Sequence, residues 1–193
     1  GAGPAEAFST VSPPKTAGEY WLAVAPFAAH KGKIYPPGLM REVIMHFATQ
    51  KGVRIFLFGF GEKEENEIDR LSAGCADTVN MARARLGIGA ELALLSHCDA
   101  MLSMDSANMH LASLAGLRAV TVWGATHPCT GFYGAGQNPA DAIQLDMACR
   151  PCSIFGNRPC RIGGYPCLTQ IPAACINSKI TGYCASSAAN SIR

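Results

Sequence analysis

The stretch that decides the fold begins Ala100-Met101-Leu102-Ser103-Met104 and continues Asp105-Ser106-Ala107-Asn108-Met109-His110. An apolar run to Gly116 follows, then Ala119-Val120-Thr121-Val122-Trp123, closed by Gly124-Ala125-Thr126-His127-Pro128. Apolar run, short polar residues, a helix-like segment and a second apolar run read as strand, sharp turn, helix, turn, strand. The polar cluster falls where the first strand ends and the helix begins. In open α/β sheets that junction is where ligands bind. A helix N-terminus offers unpaired N–H groups and a partial positive charge, which suit a phosphate. Asp105 or Ser106 can cap the helix, and Ser106, Ala107 and Asn108 are short enough to let a ligand approach the backbone. From the junction alone, a capped helix with no ligand is an equal reading.

Working outward, the same alternation recurs. Tyr20 to Ala25 is a candidate strand ending at Pro26, followed by a loop through Lys33. Pro36 and Pro37 can open a helix, and Met40, Val43, Ile44, Phe47 and Ala48 then recur at helical spacing up to Gly52. Residues 53–58 form an apolar strand closed by Gly59-Phe60-Gly61. Residues 62–73 are a charged helix with Ile68 and Leu71 inward, 78–80 a short strand, and 88–97 a helix carrying Leu92, Leu94 and Leu95. Residues 142–145 make a last strand and 173–185 a closing helix. Strands alternating with helices imply βαβ units: an α/β, Rossmann-like parallel sheet with right-handed crossovers and helices on both faces. No GxGxxG follows the first strand, so a dinucleotide cofactor is not indicated.

The bulk numbers agree with one substantial domain. Of 193 residues, 49% are apolar and 16% charged, so a packed core is expected rather than disorder. A net charge of +2 gives no electrostatic case for nucleic acid, and no apolar run approaches the ~20 residues that span a bilayer. Residues 1–16 lack the charged and apolar regions of a signal peptide. The expected plan is a linker or edge segment over 1–19, a ligand-binding domain over 20–170, and a closing helix and tail over 171–193.

Of nine cysteines, Cys75, Cys98 and Cys129 are scattered and read as small apolar residues in a core. Cys149, Cys152, Cys160 and Cys167 share one loop rich in Gly, Pro and Arg. Four thiolates at short spacing can hold zinc tetrahedrally, although the second pair is spaced too widely for a zinc ribbon. Structural zinc, reduced thiols and a disulfide all stay open, with no catalytic role assigned. Without an export signal, a cytoplasmic, reducing compartment is the expectation.

Four segments resemble, in order, glycosyltransferase family 9, the bacterial heptosyltransferases. They are Pro26-Phe27-Ala28-Ala29-His30-Lys31-Gly32-Lys33-Ile34-Tyr35-Pro36, Phe58-Gly59 with Glu62 and Glu64, Asp105-Ser106-Ala107-Asn108-Met109-His110, and Trp123-Gly124-Ala125-Thr126-His127-Pro128. The resemblance covers about residues 20 to 180 and includes the Cys-rich segment. It implies the C-terminal half of a GT-B fold, which binds a nucleotide-sugar donor, typically ADP-heptose. The family's reaction is an inverting sugar transfer in lipopolysaccharide core synthesis. Its lipid-linked saccharide acceptor and its catalytic base, an Asp, belong to an N-terminal domain that nothing here matches, so no residue is assigned to the base. The setting implied is the cytoplasm at the inner face of the inner membrane, with peripheral membrane association of the full enzyme and no required cofactor.

The resemblance also implies residue roles. Lys33 would contact the phosphates and stabilise the leaving diphosphate, with Lys31 the competing cation. Backbone N–H groups of Ser106, Ala107 and Asn108 would cradle the diphosphate, with His110 one turn further pointing back at it. Asp105 would hold the turn or bind sugar hydroxyls. Glu64 would accept from the ribose hydroxyls, with Glu62 the alternate. Leu86 would lie against adenine, and Thr126 would support the phosphate site from behind. Two departures matter: Ala28 and Ala29 stand where some members carry hydroxyl residues, and Asn108 and Met109 replace commoner ones, so the sugar need not be heptose. Two alternatives are a non-enzymatic nucleotide- or metal-binding module and a GT-B-like sugar epimerase.

Overall fold

Six parallel strands form one sheet among the residues 8–190 that the computed structural model describes, with side chains described through Tyr183. They are β1 (Tyr20–Ala25), β2 (Val53–Leu57), β3 (Thr78–Asn80), β4 (Ala100–Met104), β5 (Ala119–Val122) and β6 (Ala142–Ile143). Their spatial order is β3-β2-β1-β4-β5-β6, and every neighbouring pair is parallel. The order reverses between β1 and β4, whose C-terminal ends lie side by side with Ala25 opposite Ser103. Such a reversal leaves a crevice beyond the strand ends.

Both faces of the sheet are buried, as strand alternation requires. Leu22 and Val24 of β1 point into one core with Leu102, Met104, Val120 and Val122. Trp21, Ala23 and Ala25 point into the other with Phe56, Met101 and Ala119. The first core is roofed by α1 (Pro37–Ala48) and α7 (Ala173–Asn190), which contact each other and contribute Met40, Ile44, Phe47, Ile176 and Ile180. α2 (Gly61–Leu71) adds Ile68 and Leu71. The second core is covered by α3 (Met81–Ala84), α4 (Ile88–Leu95) and α5 (Ala107–Leu114). A short helix, α6 (Pro166–Thr169), leads into α7 and buries Cys167 and Leu168.

Four expectations need correction. Residues 8–19 do not behave as a linker. Phe8 is buried edge-on against Trp21, and Lys15 pairs with Asp99 at 2.5 Å, so this segment is part of the second core's cover. The last strand stops after two residues, and just beyond it the carbonyl of Leu145 and the side-chain amide oxygen of Gln144 accept from Arg150. Cys129 is exposed rather than a core residue. The closing helix runs further than read, to Asn190, and packs on α1.

Candidate functional site

The crevice at the reversal is built by loops following three strands. After β1, the chain turns through a 3-10 segment at Lys31–Lys33 that brings Lys33 over the end of β4. Gly32 makes this possible. It is buried, its carbonyl accepts the Ala125 N–H at 2.7 Å, and a Cβ there would meet the Ala125 Cβ at 2.7 Å. Only glycine tolerates so close an approach of two backbones.

After β4, Asp105 is buried at 4% exposure and accepts two donors on one oxygen. Lys33 Nζ stands 2.9 Å from Oδ2, and the fully buried Thr126 hydroxyl donates to the same atom at 2.8 Å. The lysine ammonium carries three N–H groups, so two remain for a ligand. The expectation that Asp105 or Ser106 caps the helix does not hold. Ser106 occupies the N-cap position of α5, but its side chain makes no cap hydrogen bond and lies 3.3 Å from the Ser103 hydroxyl. No side chain caps the first-turn N–H groups of α5, and a cavity of about 440 Å³ opens there, lined by Lys33, Asp105, Ser106, Ala107, Asn108 and His110.

Glu64 lines the same cavity from the first turn of α2, where its Oε2 accepts the Phe60 N–H at 2.7 Å. Ala28 and Ala29 also line it. Glu62 and Lys31 are exposed and stand outside it. Two further residues stand outside this cavity. Thr126 does not line the cavity, and its hydroxyl donates to Asp105 from behind it. Leu86 is half-buried against the second core, between Arg85 and Gly87, both at positive φ of 50° and 79°. Its neighbours Arg85, Gly87 and Ile88 line a separate cavity of about 650 Å³ instead. Sequence reasoning missed Phe132 and Phe155, which line the 440 Å³ cavity and pack on each other at 5.7 Å between ring centres. Phe155 carried one usable signal, its place inside the Cys-rich loop.

That loop is held against the site. Arg150 donates to the carbonyls of Trp123, Gly124, Thr126 and Leu145, and Cys152 N–H donates to the Ala125 carbonyl at 2.7 Å. A Cβ at Gly156 would meet the Lys33 side chain at 2.8 Å, so the loop lies directly on the lysine stem. Desolvation pulls the Arg150 guanidinium below its usual range, opposed by the charge of nearby thiols. Cys152 and Cys167 are pushed up, chiefly by burial, with the other thiols of the loop adding to the effect and Arg150 opposing it. Cys149, Cys152, Cys160 and Cys167 are all free. Among the described residues no group of three or more His, Cys, Asp or Glu is arranged to hold a metal. The four-thiol zinc site is therefore not formed as the loop stands.

The family model of glycosyltransferase family 9 (heptosyltransferase) matches residues 5–160. No curated protein matches the chain closely enough to count as a relative. Among solved structures, the ADP-heptose lipopolysaccharide heptosyltransferase II of E. coli superimposes with a TM-score of 0.74 at 17% identity, over 95% of this chain and 51% of its own. The E. coli heptosyltransferase WaaC with ADP gives 0.59 at 24%, over 93% and 48%. The dodecameric iron-containing heptosyltransferase TibC, in complex with ADP-D-β-D-heptose, gives 0.60 at 16%, over 91% and 48%. These likenesses show a shared fold, and the chain spans about half the length of each structure.

Proposed function

The chain belongs to glycosyltransferase family 9, the heptosyltransferases, and from that premise we propose that it binds the nucleotide-sugar donor of an inverting glycosyl transfer. The observation that carries this reading is the pairing of Lys33, held by Asp105 at 2.9 Å, with an α5 N-terminus that no side chain caps. A diphosphate seated there would receive backbone N–H groups and an ammonium, both fixed before it arrives. As the sugar–phosphate bond breaks, negative charge accumulates on the leaving diphosphate. Lys33 and the helix end would stabilise it without rearranging. Glu64 has one carboxylate oxygen engaged by Phe60 and one left for ribose hydroxyls. His110, exposed one turn into α5, faces the same cavity as a further donor.

ADP-heptose is the donor this reading favours, because the structurally similar heptosyltransferases include one seen with ADP and one with an ADP-heptose. The acceptor, a lipid-linked saccharide of lipopolysaccharide, and the catalytic base would come from a second domain facing this one. No helix among the described residues is long and apolar enough to cross a membrane.

Calorimetric titration with ADP, UDP and GDP tests the reading. ADP should bind preferentially, and Lys33→Ala should weaken it by about tenfold or more, the loss of one charge-assisted contact to phosphate. Failure of the folded protein to bind any nucleotide, or unchanged ADP affinity in Lys33→Ala, would count against it.

A further inference from the structure

The phosphate cavity does not end at Glu64. Glu64 and Asn108 also line a small cavity of about 130 Å³, whose other walls include Gly59, Phe60 and Glu91. Those three residues in turn line the 650 Å³ cavity, together with Met81, Ile88 and Leu111. The three neighbouring cavities share wall residues in sequence, from the α5 N-terminus, past Glu64, to an apolar chamber. A nucleoside diphosphate with its phosphates at α5 and its ribose at Glu64 would carry its base into that chamber.

The chamber has two carboxylates, and they differ. Glu65 is engaged by Arg83 at 3.3 Å and by Arg85 at 4.0 Å. Glu91, in the first turn of α4, is half-buried and has no hydrogen bond or ion pair to its carboxylate among the described residues. Burial alone pushes Glu91 above the usual carboxylate range, with no neighbouring group compensating. A carboxylate held among apolar walls without a partner is destabilised until a donor reaches it. Its place in the first turn of α4 is favourable to that helix, but this does not supply a hydrogen bond to the carboxylate.

We propose that Glu91 selects the base of the donor, its carboxylate accepting a hydrogen bond from the exocyclic amine of a purine. This rests on the donor-binding reading above. The chamber is roomy enough for a purine, and Phe60, Met81, Ile88 and Leu111 offer flat or flexible apolar contact to its ring. An ionised carboxylate only accepts, so it favours a base edge that presents an amine and is repelled by one that presents a carbonyl.

The probes are ADP and GDP, which carry an exocyclic amine, and IDP, which carries none. Each is titrated calorimetrically into wild type and Glu91→Ala. Alanine is well tolerated in a helix, and an unchanged thermal midpoint would show that the variant folds. In wild type the better of ADP and GDP should bind roughly tenfold tighter than IDP, the value of one charge-assisted hydrogen bond. In Glu91→Ala that preference should fall to near unity, mainly through weaker binding of the amine-bearing nucleotide. A wild type without preference over IDP, or a variant that keeps the full preference, would overturn the assignment while leaving donor binding intact. If wild type binds none of the three, the donor reading itself fails, and the assignment with it.

Discussion

Asp105 shows how much one residue's role depends on what reaches it through space. One oxygen of its carboxylate accepts from both Lys33 and Thr126, so on the proposed donor-binding reading it serves to hold the ammonium in place. An acid beside a diphosphate would otherwise repel it; paired with lysine it becomes a positioning group. Asp105→Ala would leave the Lys33 ammonium without its counter-charge and the buried Thr126 hydroxyl without an acceptor. Removing one partner of a buried ion pair costs about 3 kcal/mol, so urea unfolding should show a loss of that order. ADP affinity should fall alongside it. A variant of wild-type stability would mean that solvent replaces the carboxylate and that the pair is dispensable.

At the scale of elements, the active end of the domain is made by loops, and each is tied by backbone contacts rather than by its own secondary structure. The Cys-rich loop depends on Arg150, whose guanidinium satisfies carbonyls just after β5 and just after β6. Buried carbonyls that lose their donor cost about 1 kcal/mol or more each. Arg150→Ala should therefore lower stability by about 3 kcal/mol and open the loop to limited proteolysis between residues 150 and 164, ahead of any cleavage in the sheet. Proteolysis that begins elsewhere would show that Cys152 and Gly156 anchor the loop without it. Because this loop lies on the Lys33 stem and supplies Phe155 to the cavity, loosening it should also weaken donor binding.

At the scale of the whole molecule, Tyr35 joins distant parts of the chain. Its ring is 1% exposed in the first core, and its hydroxyl donates to the Ile171 carbonyl at 2.6 Å, linking the segment before α1 to the segment before α7. Burial pushes the phenol up to about 12, with the charges of Glu42 and Cys175 adding to it. In the unfolded chain a tyrosine ionises near 10. The unfolded state therefore loses this proton first, and folding stability falls as pH climbs from about 10 to about 12. Tyr35→Phe should be less stable than wild type at pH 8, having lost the hydrogen bond, yet show a shallower decline over that alkaline window. Equal slopes in chemical denaturation at successive pH values would show that the Tyr35 phenol does not couple ionisation to folding.

The sequence by itself determined the alternation of strands and helices, because apolar runs and helical spacing are local signals. The positions of β1, β3, α1 and α5 could be read from them. It also determined that a polar turn of small residues opens α5, and the order of the family's four segments. What only the tertiary structure decided is which of these turns meet. Parallel pairing is non-local, so nothing in the spacing of Lys33, Asp105 and Thr126 says that β1 and β4 are neighbours with β5 beside them. That adjacency converts an expected cap into the acceptor for a lysine and places the Thr126 hydroxyl behind it. Leu86 is placed by the same non-local packing, half-buried against the second core. Beside it, Ile88, Leu111 and Glu91 line the chamber proposed for the base, and no linear pattern records their convergence.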